Sequence, residues 1–390
     1  MPGLTLTHFS KKFGGAGDAD LLLRQHRSVD QEHGLESEFV PFFEKRSKDD
    51  SVIPARFSWR HSILSARRRF RKLKTQRPVG ASVYHDFWGL KFLADLDQAE
   101  RRIGIMHHTI PDMAAAYANL QGLLDGVLCV THEMEETAAR IWPELAESRI
   151  AFLPYPVDQP RGFQPPTRDP DRPFTVGYCG RIQLEQKRVD RIPEILELTA
   201  AHGHSFRMEF IGEGYDSPEL ERQLMLKHEA QFHGNKTGAE YWQILSNWDA
   251  ILYTSEFEGL PSTLLDAMSV GVFPVYPSIG GGGEEYVRRV DEQLVYPDGD
   301  VSVAADQLMR LRALVGPGRV KLRNRATEAA SPHLGGKYFD IFSEFVKQIH
   351  GLERVSRDSF GKKPRALADW CPFAVMNRLS PMAVWNSPLG

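Results

Sequence analysis

Two acidic side chains lie eight positions apart in the stretch SEFEGLPSTLLDAMSVG, which runs from Ser255 to Gly271. They are Glu258 and Asp266, and a glycine, a proline and a short apolar run lie between them. A pair of carboxylates can act as the acid and base of glycoside hydrolysis. Carboxylate oxygens also accept hydrogen bonds from the hydroxyl groups of sugars and nucleotides. The residues around the two acids decide between these chemistries.

Three segments in the second half of the chain contain residue types that bind anions. Arg181 and Lys187 follow the apolar run TVGYCG. Gly212 and Gly214 follow FRMEFIG, and Pro261 opens a helical pattern. Cationic side chains and the backbone N–H groups of a first helical turn both bind phosphate. Because open parallel sheets bind ligands at the carboxyl ends of their strands, we expect these segments to converge on one diphosphate.

Short apolar runs alternate with helical patterns along most of the chain. The runs are apolar on both faces, as in parallel strands that are covered by helices. The predicted strands are 4–9, 81–85, 102–108, 126–131, 149–155, 174–180, 206–212, 230–234, 250–255, 272–277 and 293–297. This alternation predicts an α/β protein with parallel sheets.

A proline-rich stretch separates the two series of predicted strands. Residues 154–174 contain seven prolines and no periodicity, and proline stiffens an extended chain. We therefore predict an N-terminal domain at 1–155, a linker at 156–172, a C-terminal domain at 173–345, and a helix and tail at 346–390 that could pack back on the N-terminal domain.

The composition narrows the functional classes. The net charge of −3 gives no general attraction to polyanions, and no nucleic-acid recognition motif is present, so we expect no nucleic-acid partner. Three cysteines without metal-binding spacing fit a reducing compartment. No apolar run reaches membrane-spanning length. These features predict a cytoplasmic protein.

The second half resembles the retaining GT-B-fold glycosyltransferases of family 4, the glycosyl transferases group 1. That family has GR followed by a lysine, then a G-x-G turn, an E-G-x-P-x-x-x-L-E-A-M-x-x-G segment and a GG-x-x-E segment. The matching positions here are Gly180-Arg181 with Lys187, Gly212 to Gly214, Glu258 through Gly271, and Gly281-Gly282 with Glu285. The first half matches more loosely, through FGGAGDAD at 13–20 and the two histidines at 107–108.

The resemblance implies two Rossmann-like domains that face a central cleft, and it assigns roles to single residues. Arg181 and Lys187 match positions that neutralise the departing diphosphate, and Glu258 matches the acid that contacts the transferred sugar. Asp266 stands where the family has a glutamate that binds the ribose hydroxyls. Exposed aspartates are common in helices, so a purely structural role for Asp266 stays open.

The resemblance also implies which residues line the donor. These are Gly14, Gly15, Gly180, Gly212, Gly214, Leu260, Pro261, Ser262, Gly281 and Gly282. One of the two adjacent histidines matches a histidine near the transferred sugar, and we favour His107. A histidine at a strand end is also often a hydrogen-bonded structural residue, and that alternative stays open.

A resemblance of this kind implies retaining transfer of a sugar from a UDP-, GDP- or ADP-linked donor to a glycan, lipid-linked or small-molecule acceptor. Cationic side chains at the diphosphate imply no metal and no cofactor. The D-x-D sequences at 18–20, 95–97, 169–171 and 298–300 do not follow the strand pattern of a metal-dependent site. The alternatives are a nucleotide-sugar epimerase of the same fold and a non-catalytic GT-B-like binding subunit.

A basic amphipathic segment lies outside these motifs. Residues 51–85 contain nine arginines and lysines and no acid, and apolar residues recur at helical spacing within 59–77. Such a helix can lie on an anionic membrane surface, in keeping with a protein peripheral on the inner face of the membrane, or meet an acceptor that carries phosphates. It can equally pack its apolar stripe on the N-terminal domain and leave its charges in solvent.

Overall fold

The computed structural model of the chain describes residues 3–11, 18–47, 49–76, 80–93, 100–107, 117–145, 147–160, 162–165, 172–334 and 336–355. The chain divides into two compact units. The first consists of Met1–Pro154 and Lys337–Gly390, and the second is Tyr155–Gly336. The first unit is therefore discontinuous in sequence, because the last part of the chain returns to it.

The first unit is built on a six-stranded sheet whose neighbouring strands are all parallel. Its strands are β1 Leu4–Ser10, β2 Leu35–Pro41, β3 Ala81–His85, β4 Arg101–Met106, β5 Gly126–Cys129 and β6 Ile150–Phe152. They lie in the order β2-β1-β3-β4-β5-β6. The chain therefore moves to opposite sides of β1 to form β2 and β3.

The second unit repeats this plan with a second parallel sheet. Its strands are β7 Thr175–Cys179, β8 Arg207–Ile211, β9 Glu229–Phe232, β10 Ala250–Leu252, β11 Phe273–Ser278 and β12 Val295–Pro297. The order is β12-β11-β10-β7-β8-β9, which is the strand order of a Rossmann fold. The predicted α/β class with two Rossmann-like sheets is confirmed.

The described helices lie between the strands and after the last one. They are α1 Asp18–Val29, α2 Ile63–Thr75, α3 His132–Ile141, α4 Arg191–Ala201, α5 Ser217–Met225, α6 Gly238–Ser246, α7 Ser262–Ser269, α8 Gly282–Val290, α9 Val301–Ala313, α10 Gly316–Ala330 and α11 Lys337–Gly351. Several begin where a side chain satisfies a free backbone N–H group. Thr131 accepts from the N–H of Met134 at the start of α3, and Asp300 accepts from Val303 at the start of α9.

The apolar pattern did not predict β2, whose sequence LESEFVP alternates acids with other residues. The strand lies at the end of the strand order and pairs along its length with β1, while on its other side Phe39 forms a single bridge to Val52. An edge strand needs less apolar surface than a central strand, and charged residues on it discourage pairing with other chains. Glu36 and Glu38 are accordingly exposed and half-buried.

The described part of the predicted linker 156–172 is bonded to the second unit. The N–H of Val157 donates to the carbonyl of His333 over 3.0 Å. The indole N–H of Trp242 donates to the carbonyl of Asp158 over 3.1 Å. The start of this segment therefore forms part of the second unit in addition to connecting the two sheets.

Helix α11 packs on the first unit through an apolar face. Its buried apolar residues are Tyr338, Phe339, Phe342, Phe345, Val346 and Ile349. The Tyr338 hydroxyl also lies 2.8 Å from Nε2 of His26. The boundary predicted between residues 345 and 346 falls inside this helix, because the helix begins at Lys337 and belongs to the first unit along its whole length.

The basic segment forms α2, which packs its apolar stripe into the first unit. Ile63, Ala66 and Phe70 have no exposed surface, whereas Trp59 is 41% exposed and stacks on Phe43. The bases on its outer face are Arg68, Arg69 and Lys72. Because the stripe is already buried, any contact of α2 with an anionic surface would use these charges alone. No helix in the described part of the chain is long and apolar enough to span a bilayer.

Candidate functional site

The charged residues predicted for the diphosphate and the sugar follow β7 and β10. These two strands are neighbours, and the sheet continues from β7 to β8 and from β10 to β11. From this neighbouring pair the strand order runs towards opposite edges of the sheet, and we call the position between them the reversal point of the sheet. The α/β proteins bind their ligands at the carboxyl ends of the strands at such a point. The loop that contains Arg181 and Lys187 follows β7, and the loop that contains Glu258 follows β10.

An ion pair joins these two loops. Nζ of Lys187 lies 2.5 Å from Oε1 of Glu258, and both side chains are largely buried. The hydroxyl of Ser255 donates to the same carboxylate oxygen over 2.5 Å. The sequence assigned Lys187 to the diphosphate and Glu258 to the sugar; the structure places the two groups in direct contact. Each neutralises the other at the reversal point of the sheet.

Arg181 is exposed beside this ion pair. Its guanidinium donates to Oε1 of Gln186 over 2.8 Å, and its carbonyl accepts from the hydroxyl of Tyr178 over 2.6 Å. Gln186 in turn donates to the carbonyl of Phe257 over 3.1 Å. The backbone at Arg181 is therefore held by β7, while its charge points into solvent and is able to meet an anion.

The two predicted donor glycines after β8 support the β7 loop by close backbone contact. A Cβ added at Gly212 would lie 1.9 Å from the carbonyl oxygen of Gly180, and one at Gly214 would lie 1.8 Å from that of Ile182. Ile182 also donates its N–H to the carbonyl of Glu213 over 3.1 Å. These glycines thus allow two loops to touch, which is a positioning role that the G-x-G spacing alone does not distinguish from ligand contact.

The glycine-rich segment before α8 lies against the Glu258 loop. A Cβ at Gly281 would lie 2.5 Å from the carbonyl oxygen of Glu258. Gly281 is the residue that precedes α8, and Gly282 is its first residue. The N–H of Gly283 donates to the carbonyl of Gly259 over 3.2 Å. The first turn of α8 therefore begins beside the acid of the ion pair.

Helix α7 begins one residue later than the sequence predicted. Pro261 precedes the helix with an extended ψ of 123°, and Ser262 is the first helical residue. The proline has no side-chain oxygen that could cap the helix. Leu260 and Pro261 are buried, and Ser262 is half-buried. The positive end of the α7 dipole thus lies three residues after Glu258.

Buried tyrosines surround the ion pair. Burial, and next to it the charge of Glu258, holds the pKa of both Tyr178 and Tyr276 well above the usual value. Burial raises the pKa of Tyr253 in the same way, and its hydroxyl shares a 2.8 Å hydrogen bond with Oγ1 of Thr263. These hydroxyls stay protonated at neutral pH and add no charge to the surroundings of Glu258.

Asp266 lies on α7 and bonds a tyrosine that the sequence did not indicate. The hydroxyl of Tyr241 donates to Oδ2 of Asp266 over 2.7 Å. Burial, together with the Asp266 charge, keeps the pKa of Tyr241 well above its usual range. One carboxylate oxygen is thus used to orient a neighbouring side chain. The aspartate–tyrosine pair occupies the place at which the family has a glutamate.

The remaining predicted residues belong to the first unit. Gly14, Gly15 and His108 lie outside the described residues. His107 directly follows β4 and is 5% exposed. Its Nε2 lies 2.8 Å from Nδ1 of His85, and its N–H donates to Oδ1 of Asp86 over 3.2 Å.

The sequence reasoning missed several residues of the second-unit cluster, among them Ser255, Tyr178 and Tyr241. Ser255 could have been found, because it stands three residues before Glu258 in the same loop. Tyr178 lies in a strand and Tyr241 in α6, 25 residues before Asp266, and nothing in the sequence links either of them to an acid. Their roles depend on tertiary packing.

A match to a known protein family covers most of the second unit. Residues 163–331 match the family described as glycosyl transferases group 1. The lipopolysaccharide 1,6-galactosyltransferase of Salmonella typhimurium is 31% identical over 154 residues, which are 38% of this chain and 41% of that protein. The chain spans less than half the length of the curated relatives that it matches.

Solved structures match along most of the chain. The lipopolysaccharide outer core galactosyltransferase WaaB superposes with a TM-score of 0.66 at 17% identity, over 88% of this chain and 99% of that one. The chain has a GT-B fold. Anabaena HepE in complex with UDP and glucose gives a TM-score of 0.64 at 13% identity, over 88% of this chain and 99% of that one. At these identities the likeness concerns the fold.

Proposed function

We propose that this protein is a retaining glycosyltransferase that moves a hexose from a nucleotide diphosphate to a sugar acceptor. The observation that carries the proposal is the Lys187–Glu258 ion pair at the reversal point of the second sheet. It lies within the range that matches the glycosyl transferases group 1. An epimerase and a non-catalytic binding subunit are less favoured, because the Salmonella relative is named as a galactosyltransferase.

Catalysis in this proposal is electrostatic. When the bond between the sugar and the diphosphate breaks, negative charge builds on the departing diphosphate. Lys187 would turn from Glu258 to that charge, Arg181 would add a second cation, and the start of α7 would add its dipole. Glu258, once released, would accept hydrogen bonds from the sugar. Groups of this kind require neither a divalent metal nor a cofactor for charge stabilisation.

The donor and acceptor are proposed from the relatives. Anabaena HepE was crystallised with UDP and glucose, and the Salmonella relative is named as a lipopolysaccharide galactosyltransferase. We therefore favour a UDP-hexose over GDP- and ADP-sugars, and a lipid-linked glycan as acceptor. The exposed bases of α2 would assist at an anionic membrane surface by charge alone.

The test is a panel of UDP-, GDP- and ADP-sugars offered to the full-length protein, with binding followed by calorimetry and hydrolysis or transfer by chromatography. We expect binding and slow turnover with one UDP-hexose, unchanged by EDTA, and an unchanged anomeric configuration in the product. A folded protein that binds none of these donors contradicts the proposal. Loss of turnover in EDTA contradicts the metal-independent mechanism alone.

Lys187→Ala tests the central residue. One lost electrostatic donor typically lowers kcat by about 10²–10³-fold, and we expect this loss at saturating donor. Lys227→Ala is the matched control, because Lys227 also pairs with a glutamate, Glu197, over 2.6 Å but on the exposed surface. Its kcat should equal that of the unaltered protein. Equal kcat values for both variants would remove Lys187 from the mechanism.

A further inference from the structure

The peptide that joins Lys187 to Arg188 is held from both sides. Its carbonyl accepts a hydrogen bond from the hydroxyl of Thr254 over 2.7 Å. Its N–H donates to the carbonyl of Leu184 over 3.3 Å. Because a peptide unit is planar, these two bonds together set the ψ of Lys187 and the φ of Arg188. The direction of the Lys187 side chain therefore depends on a hydroxyl from the loop after β10.

Arg188 holds a strained backbone conformation directly after Lys187. Its φ is 46°, and among the described residues of the second unit it is the one non-glycine residue with a positive φ. Residues with a side chain are strained in this left-handed region, and such strain persists only where the surroundings hold it. The Arg188 guanidinium bonds Asp190 over 2.9 Å and also bonds Glu256 of the loop after β10.

Thr254 is itself firmly held. It follows β10 and has no exposed surface. Its carbonyl accepts from the guanidinium of Arg191, the first residue of α4, over 2.9 Å. Arg191 bonds Asp298 over the same distance. A hydroxyl on so well anchored a backbone holds its partner in one position.

The loop that holds Lys187 is also the loop that contains its partner. The N–H of Glu256 donates to the carbonyl of Gln186 over 2.9 Å, so the residues on both sides of Lys187 contact the loop after β10. Two residues further along that loop, Glu258 meets Nζ of Lys187. These contacts fix the backbone of Lys187 relative to the carboxylate.

We propose that Thr254 is a positioning residue for Lys187. Its hydroxyl holds the peptide after Lys187, and with it the left-handed turn at Arg188, so that Nζ of Lys187 lies where it can exchange Glu258 for a diphosphate while its backbone stays in place. The exchange with a diphosphate rests on the proposed glycosyltransferase function. The position of Lys187 beside Glu258 rests on the contacts alone.

The competing assignment is that the Thr254 hydroxyl only satisfies a buried carbonyl, as most buried hydroxyl groups do. Thr199 of α4 supplies a matched example, because it is 1% exposed and its hydroxyl donates to the carbonyl of Leu196 over 2.9 Å. The two assignments differ in one respect: a positioning residue affects turnover through Lys187, and a structural residue does not.

Thr254→Val removes the hydroxyl at nearly constant volume, and Thr254→Ser keeps it. A displacement of about 1 Å can cost about 100-fold in rate, so we expect Thr254→Val to lower kcat at saturating donor by about 10- to 100-fold. Thr254→Ser should stay much closer to the unaltered protein, and the control Thr199→Val should keep its kcat. If Thr254→Val does not fold, Thr254→Ala takes its place. An unchanged kcat in the folded variant overturns the proposal.

A double-variant cycle tests whether Thr254 acts through the lysine. In the Lys187→Ala background, Thr254→Val should lower kcat no further, because the side chain that it positions is gone. The same fractional loss in both backgrounds would show that Thr254 does not act through Lys187, and it overturns the proposal.

Two variants of Arg188 test the turn. Arg188→Gly and Arg188→Ala both lose the guanidinium and its ion pairs, but glycine adopts a positive φ without strain and alanine does not. We expect the glycine variant to keep the higher kcat. Equal values, or a higher kcat in the alanine variant, contradict a role for the left-handed turn.

Crystallography without ligand separates this inference from the function on which it partly rests. We expect Nζ of Lys187 to stay within hydrogen-bonding distance of Glu258 in the unaltered protein and in Thr254→Ser, and to leave it in Thr254→Val. An unmoved Lys187 in Thr254→Val overturns the proposal. A displaced Lys187 in a protein that acts on no nucleotide sugar keeps the positioning role and contradicts the proposed function alone.

Discussion

At the scale of single residues, the second unit pairs the groups that the sequence had treated as separate. Lys187 and Glu258 neutralise each other, and Ser255 bonds the same oxygen. An ion pair held in buried surroundings is costly to break by removing one partner. A bound diphosphate would supply Lys187 with a replacement partner, so the state without ligand keeps both charges compensated until a donor arrives.

Asp266 gives a prediction at this scale. Its Oδ2 bonds Tyr241, and we expect the carboxylate to bind a ribose hydroxyl of the donor as well. A hydrogen bond to a charged group contributes about 1.5–3 kcal/mol, so Asp266→Asn should raise the KM for the donor by about 10-fold or more with little change in kcat. Asp266→Glu, which restores the family residue, should stay much closer to the unaltered protein.

Tyr241→Phe is the matched control for that measurement. It removes the hydroxyl that bonds Asp266 and leaves the carboxylate, so it should lower the melting temperature more than it alters the KM. The opposite pattern would contradict the predicted contact with the ribose. If Asp266→Asn lowers the melting temperature and leaves the KM unchanged, the aspartate serves only to hold Tyr241.

At the scale of elements, loop contacts hold the site together. The loop after β8 touches the loop after β7 at Gly212 and Gly214, and the loop after β11 touches the loop after β10 at Gly281; at each point a glycine leaves no room for a side chain. These contacts therefore help to fix where Arg181, Lys187 and Glu258 lie.

Gly214→Ala tests this support. Its Cβ would lie 1.8 Å from a backbone oxygen that cannot rotate away, so we expect a loss of about 1–3 kcal/mol in the free energy of unfolding and a lower kcat from the displaced β7 loop. Gly318→Ala, in the first turn of α10, meets only a flexible leucine methyl at 3.2 Å. It should change stability by less than about 1 kcal/mol. Urea unfolding of both variants measures these changes, and equal losses in the free energy of unfolding would contradict the steric explanation.

The sequence predicted the class of the fold and most of its strands, because buried parallel strands leave continuous apolar runs. It failed at β2, where an edge position permits Glu36 and Glu38. In the site, it selected Lys187 and Glu258 by spacing but could not show that they pair. The sequence could not indicate Tyr241, because its bond to Asp266 joins residues of two separate segments through packing.

At the scale of the whole molecule, each unit contains a buried histidine whose pKa is lowered to about 4, mainly by burial: His8 in the first and His333 in the second. His333 lies 2.7 Å from the carbonyl of Tyr155 and 2.9 Å from the hydroxyl of Tyr286. An unfolded histidine has a pKa of about 6.5. As the pH falls through that value, the unfolded chain gains protons that the folded chain does not bind.

These two histidines should therefore leave the free energy of unfolding unchanged above about pH 7 and lower it as the pH falls from 6.5 to 4. At pH 5 the proton uptake of the unfolded chain lowers the free energy of unfolding by about 2 kcal/mol per histidine. In urea unfolding at pH 7.5 and pH 5, His333→Gln should reduce the difference between the two pH values by about that amount, and His202→Gln, which is exposed, should not. An undiminished difference in His333→Gln would show that His333 is not protonated on unfolding in this range.

The return of α11 to the first unit has a consequence for the order of folding during synthesis. The second unit is complete in sequence at Gly336, whereas the first lacks the aromatic face of α11 until Lys337–Gly351 has left the ribosome. Domains usually fold in the order in which they are translated. Here the half that is made first must wait with part of its core uncovered, and the half that is made second can close before it.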